Sequence, residues 1–134
     1  MRVAFGADDE GLIPTSVLEL LRGRGYEVLH LARGAQWPEV GRAVGQAVAS
    51  GQADSGVVMC YTGTGVSIAA NKVPGVRAAL CVDAATASGA RRWNDANVLA
   101  LSIRLTTPDL AAEIVDAYFS TDPDPGEAGL FGQV

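Results

Sequence analysis

The stretch CYTGTGVS, residues 60–67, brings a thiol, a hydroxyl and two glycines together. Cys60 closes the apolar run GVVMC and stands at the lip of the loop, with Thr62 two residues on. A thiol at a strand end facing a helix N-terminus suits a proton-transferring base. The backbone N–H groups of Gly63, Thr64 and Gly65 would open that helix, an arrangement that stabilises phosphate, carboxylate or enolate oxygen. Two other polar stretches stand out, GADDEG at 6–11 and RRWNDAN at 91–97. The glycines fit no nucleotide signature. A dinucleotide fingerprint needs glycine where Ile68 stands, and Lys72 is too far along for a P-loop. On residues alone the loop reads equally as an anion site or as a tight turn, and Cys60 as a base or a core thiol.

The elements that must position these residues follow from the apolar pattern. Arg2 to Phe5, Tyr26 to Leu31, Ser55 to Cys60, Val76 to Cys81 and Asn97 to Leu101 read as strands. Between them, apolar residues recur three or four apart, as in Val17, Leu20 and Leu21, or Val40, Val44 and Val48. Gly25 falls where a helix C-terminal cap belongs, near Arg22 and Arg24. A last helix is expected over Pro108 to Phe119, with Thr107 as its N-cap. Alternating strands and helices imply an α/β, three-layer α/β/α Rossmann-like domain on a five-stranded parallel sheet. In such sheets ligands bind beyond the carboxyl ends of the strands, so GADDEG and CYTGTGVS share one end. RRWNDAN precedes its strand, so it would reach that end only from a neighbouring subunit or by a long approach.

Length and composition bound the rest. With 134 residues and 49% hydrophobic content, one compact domain over 1–134 is expected. Residues 120–134 hold two prolines, three glycines and three acidic side chains, and are expected to be irregular. A net charge of −5, with only Arg91-Arg92 as a basic pair, argues against nucleic-acid or anionic-membrane partners. No apolar run nears the roughly 20 residues that span a bilayer. The N-terminus lacks a basic-then-apolar signal pattern, so the cytoplasm is the expected compartment. Cys60 and Cys81 both end apolar runs, which makes a disulfide framework improbable. The single histidine, His30, reads as structural.

Three stretches together resemble the ribose-5-phosphate isomerase B and galactose-6-phosphate isomerase family. CYTGTGVSIAANKVPGVRAALC is similar to its C-G-T-G-x-G-x-S-I-A-A-N-K-x-x-G-I-R-A segment, RRWNDANVLALSIRL to R-E-H-N-N-A-N-V-L-A-L-G-A-R, and VAFGADDEG to I-A-I-G-S-D-H-A-G. The resemblance implies interconversion of aldose and ketose phosphates through a cis-enediolate, without metal or cofactor. On matching positions Cys60 would be the base and Thr62 its partner in proton transfer or ring opening. The loop from Gly63 through Thr64 and Gly65 to Ser67 would be the anion hole. Asn94 would help hold the enediolate, and Asp8 would bind sugar hydroxyls. Val66 takes the place where some relatives have a glutamate base, which favours the cysteine type. The resemblance also implies a homodimer, or a homotetramer, with composite sites.

The departures from the family pattern fall in the site. Asp9 and Trp93 stand in place of histidines, Tyr61 in place of a glycine inside the anion loop, and Trp37 in place of a tyrosine. Residues 120–134 contain no arginine, and of the family's arginine set only Arg104 survives. Fewer cations and an added carboxylate make dianionic phosphate a poor guest, while Trp37, Tyr61 and Trp93 offer stacking surface. The expected substrate is a small sugar or hydroxy-carbonyl compound, not necessarily phosphorylated. The second reading is a non-catalytic relative that binds a small ligand or pairs with an active paralogue.

Overall fold

The computed structural model describes residues 1–134. Five strands form one sheet: β1 (Arg2–Ala7), β2 (Glu27–His30), β3 (Ser55–Cys60), β4 (Ala78–Leu80) and β5 (Val98–Ser102). Their spatial order is β2-β1-β3-β5-β4 and every pairing is parallel. Five helices connect or follow them: α1 (Leu12–Gly23), α2 (Trp37–Ala49), α3 (Thr64–Asn71), α4 (Ala84–Asn94) and α5 (Pro108–Phe119). No helix is long and apolar enough to cross a membrane.

The near-continuous apolar strands are explained by burial on both faces. On one side Val3, Phe5, Val57, Met59, Leu99 and Leu101 pack under α1, α4 and α5. On the other, Ala4, Val58, Cys60, Val98 and Ala100 meet α2 and α3 through Val40, Val44, Val66 and Ala70. The two helices approach closely there. A Cβ on Gly41 of α2 would lie 2.6 Å from the Ala69 Cβ and 2.8 Å from the Val66 carbonyl oxygen.

Most boundaries match the expected ones, and the caps do so in detail. Thr107 accepts a hydrogen bond from the Leu110 N–H at 3.2 Å, with Pro108 opening α5. Gly25, at φ 86°, follows the end of α1. Two expectations need correction. The strand expected over Val76 to Cys81 shrinks to Ala78–Leu80, because β4 has a neighbour on one side only. Its open edge is closed by Asn71, whose side-chain amide donates to the Ala78 carbonyl (2.9 Å) and accepts from the Ala78 N–H (2.8 Å). Residues 120–134, expected to be irregular, carry a 3-10 turn (Pro125–Glu127) and a one-turn helix, α6 (Ala128–Phe131). The Asp124 side chain caps that turn, and the Asp124 N–H bonds the Arg92 carbonyl at 2.9 Å, pinning the tail to α4.

Candidate active site

The three central strands end level with one another, which places their exit loops side by side. Ala7 pairs with Met59, and Cys60 with Ser102. The ladder continues past the strands: the Asp8 N–H bonds the Met59 carbonyl (3.2 Å), Ile103 N–H the Cys60 carbonyl (3.0 Å) and Arg104 N–H the Tyr61 carbonyl (2.9 Å). Asp8, Tyr61 and Arg104 therefore share one rim. Here β1 leads to α1 on one face and β3 to α3 on the other, so the rim is a topological switch point, where α/β sheets bind ligands.

Cys60 lies on the α2/α3 side, 5% exposed, beneath a loop whose Tyr61, Thr62 and Thr64 are exposed. The loop's shape is set by Gly63, which is buried at φ 78° and caps α3. A Cβ there would lie 2.5 Å from Leu80 Cδ1 and 3.0 Å from the Leu101 carbonyl oxygen. Gly63 supplies no side-chain cap, so the first-turn amides of α3, Thr64 to Val66, have no acceptor from their own helix. They point toward the rim as free donors for negative charge. Ser67 lies in that first turn, and the Thr62 and Thr64 hydroxyls hydrogen-bond each other at 2.7 Å. Gly63→Ala combines a left-handed backbone with overpacking and should cost roughly 2–4 kcal/mol. A fall of that size in the urea midpoint stability is the expected result.

Ser102, which the sequence did not single out, and Trp37, one of the departures noted above, shape this loop. Ser102 donates its hydroxyl to the Tyr61 carbonyl (2.9 Å) and accepts from the Leu105 N–H (3.1 Å). Its place opposite Cys60 becomes meaningful only once the strands are in register. Trp37 lays its ring on Gly65, where a Cβ would come within 2.9 Å of the indole. Glycine at 65 thus leaves room for an aromatic wall on the first turn of α3.

The acidic loop after β1 is shaped by its own side chains. Asp9 turns back to accept the Gly11 N–H at 2.8 Å, leaving Asp8 half-buried beside it. Burial, and then the neighbouring Asp9 charge, raise the Asp8 pKa above the ordinary carboxylate range, against a backbone hydrogen bond that lowers it. Asp9→Asn removes the charge but leaves the burial, so the Asp8 titration should move down without reaching the free value. Carboxyl-carbon NMR titration reads this directly. Asp9 also lines a cleft of about 280 Å³ with Glu10, Arg22, His30 and Arg33. Its charges offset one another, with Arg33 Nε bonded to Glu10 at 3.2 Å. His30 packs edge-on against Phe5 at 5.3 Å, and burial together with Arg33 and Arg22 lowers its pKa.

Cys81 is a different kind of thiol. It is fully buried at the end of β4, and burial with the nearby Asp83 charge pushes it up to about 11. In the native protein at pH 8 it should therefore resist iodoacetamide, as peptide mass spectrometry can check.

Trp93 and Asn94 do not join this rim within one chain. They end α4 and are exposed at the opposite pole, where Asn94 borders a depression with Arg77, Ala78 and Val134. With β3 six residues long, the two poles lie roughly 20 Å apart at about 3.3 Å per residue. Within a single chain the structure thus brings together Asp8, Asp9, Cys60, Tyr61, Thr62, Gly63, Thr64, Gly65, Ser67 and Arg104, but not RRWNDAN.

Fold and rim together define a Rossmann-like α/β/α enzyme domain with its site at the carboxyl edge of the sheet. The chain matches the sequence model of the ribose/galactose isomerase family over residues 3–129 and belongs to that family. It is 38% identical to ribose-5-phosphate isomerase B of Escherichia coli over 93% of this chain and 87% of that one. It is also 38% identical to galactose-6-phosphate isomerase subunit LacB of Clostridium acetobutylicum, over 93% of this chain and 75% of that one. The solved structure of Clostridium thermocellum ribose-5-phosphate isomerase B superposes with a TM-score of 0.93 at 40% identity, covering 99% of this chain and 94% of that one. The chain is an isomerase of the sugar and sugar-phosphate class.

Proposed function

We propose that the protein is an aldose–ketose isomerase that works through a cis-enediolate and whose preferred substrate lacks a phosphate. The reading rests on Cys60 lying beneath a loop that leaves the first amides of α3 open, in a chain of this family. The Cys60 thiolate removes the proton alpha to the substrate carbonyl and returns it to the neighbouring carbon. Thr62 assists proton movement between the two oxygens or opens the sugar ring. The amides from Thr64 to Val66 hold the developing oxyanion, with the Ser67 side chain in the same turn, an arrangement worth most where water is excluded. Asp8 and Asp9 bind hydroxyls, and Tyr61 and Arg104 border the sugar.

The opposite pole completes the site from a second copy. Trp93 and Asn94 are exposed about one sheet length from Cys60 in their own chain, so a homodimer is the assembly that lets Asn94 reach the enediolate. A homotetramer would pair two such dimers.

The relatives named above are ribose-5-phosphate and galactose-6-phosphate isomerases, so the proposed substrate departs from theirs. The charge of the rim supports that departure. Arg104 is exposed, Arg33 is already paired with Glu10, Asp9 adds a negative charge, and residues 120–134 contain neither Lys nor Arg. A phosphate would forgo charge-assisted hydrogen bonds of about 1.5–3 kcal/mol each. Assay of free sugars, hydroxy-carbonyl compounds and sugar phosphates should give the higher kcat/KM for a non-phosphorylated compound. Efficient turnover of ribose 5-phosphate would overturn this. Asp9→His should raise kcat/KM on sugar phosphates by about tenfold or more, the equivalent of one recovered charge-assisted bond.

A further inference from the structure

The turn from α4 into β5 holds a charged knot next to Trp93 and Asn94. Asp95 sits directly after them with φ 49° and ψ 45°, left-handed in a position where glycine is the usual choice. Its carboxylate meets two arginines, Arg77 Nη2 at 3.1 Å and Arg91 Nη1 at 3.3 Å. Its own carbonyl accepts Arg77 Nε at 2.8 Å. Arg91 reaches further, donating Nε to the Thr121 carbonyl (3.1 Å) and Nη1 to the Ala96 carbonyl, with its guanidinium 5.6 Å from the Tyr118 ring centroid. Asn97 fixes the other side, accepting the Arg77 N–H at 2.7 Å and donating to the Gly75 carbonyl at 2.9 Å.

One carboxylate thus ties the approach to β4, the end of α4 and the exit of α5 into a single unit. These three side chains are 20–30% exposed, against 44–65% for those in the remaining ion pairs of the chain. These are the least exposed ion-pair side chains in the molecule, so water screens their charges least. Its rigidity contrasts with what it carries, two exposed side chains that make no hydrogen bond inside their own chain through their side-chain polar atoms. A non-glycine residue in a left-handed conformation persists only where its surroundings over-determine it, and such positions gather at functional sites.

We infer that Asp95 is a positioning residue: it holds the end of α4 in the one geometry that delivers Trp93 and Asn94 to the Cys60 loop of a second copy. The inference rests on the composite-site reading given above. Misplacing a group by about 1 Å can cost about 100-fold in rate, so Asp95→Ala should lose about that factor in kcat with a smaller change in KM. Asp95→Asn, which tolerates the backbone and keeps one acceptor, should lose less.

Subunit complementation separates positioning from mere folding. Differently tagged Asp95→Ala and Cys60→Ala chains are co-expressed and the heterodimer is purified. If Asp95 acts only through the Asn94 that its own chain delivers, one site of the two is intact and about half the wild-type activity per dimer returns. If Asp95→Ala damages its chain generally, the Cys60 loop of that chain fails too and nothing returns, which overturns the inference. An unchanged kcat in Asp95→Ala overturns it as well. The Asn94→Ala and Cys60→Ala heterodimer is the control. Recovery there without recovery for Asp95→Ala removes this proposal alone, while failure there removes the composite site and this proposal together.

Discussion

Replacing Cys60 with alanine will reduce isomerisation by about 10²–10⁴-fold and stop solvent deuterium from entering the substrate's alpha carbon. The fold should survive. The side chain is 5% exposed among Val58, Val66 and Ala100, and losing one sulfur there costs about 1 kcal/mol. Alanine is the better probe than serine, since serine would put a hydroxyl into that apolar layer and confound stability with chemistry. Cys81→Ala serves as the contrast: its thiol is buried at the end of a different strand and held protonated, so kcat should stay near wild type. Exchange rates in heavy water report proton abstraction even where net turnover of a trial sugar is poor. Wild-type exchange in Cys60→Ala would return the thiol to the role of core filler and place the base elsewhere on the rim.

The second large effect is a gain. Cys60→Ala and Asn94→Ala are each expected to be nearly inactive alone. Their purified heterodimer should recover about half the wild-type activity per dimer, because the intact Cys60 of one chain meets the intact Asn94 of the other. The expectation comes from geometry. Cys60 closes β3 at one end of the sheet, while Asn94 closes α4 at the other, and no motion within a rigid five-stranded sheet joins them. Absence of recovery, with a heterodimer shown by mass measurement, would leave Asn94 and Trp93 outside the site. Analytical ultracentrifugation of the wild-type chain gives the assembly independently.

Much of this molecule is legible along the chain because its determinants are local. Thr107 and Pro108 announce α5 through capping chemistry that needs no distant partner. The run from Ser55 to Cys60 is apolar at nearly every position, which only a strand covered on both faces requires. Glycine at 63 and 65 signals a loop needing unusual backbone or close approach, and the Cys60-to-Ser67 order puts the thiol before the helix start. Even the odd placement of RRWNDAN follows from sequence order, since it precedes its strand.

Other features came into being only on folding. Nothing near position 102 marks Ser102 as the residue that fixes the Tyr61 carbonyl, since that contact exists only with β3 and β5 in register. Asn71 lies in a stretch read for its resemblance, yet its work is to close the free edge of β4, which depends on β4 being outermost. The tail illustrates the same limit. Its prolines and glycines gave no periodic signal, and the tail is pinned ahead of its 3-10 turn by a hydrogen bond from the Asp124 N–H to the Arg92 carbonyl, which links distant parts of the chain. The chain by itself determined which residues form strands, caps and the glycine loop, because short-range sterics and alternation of burial select these. The tertiary structure alone decided that Arg104 lies beside Tyr61 on the rim, that Ser102 stands opposite Cys60, and that Asp95 gathers two arginines. Those are matters of strand order and register, settled by how the two apolar faces pack and not by any neighbour in sequence.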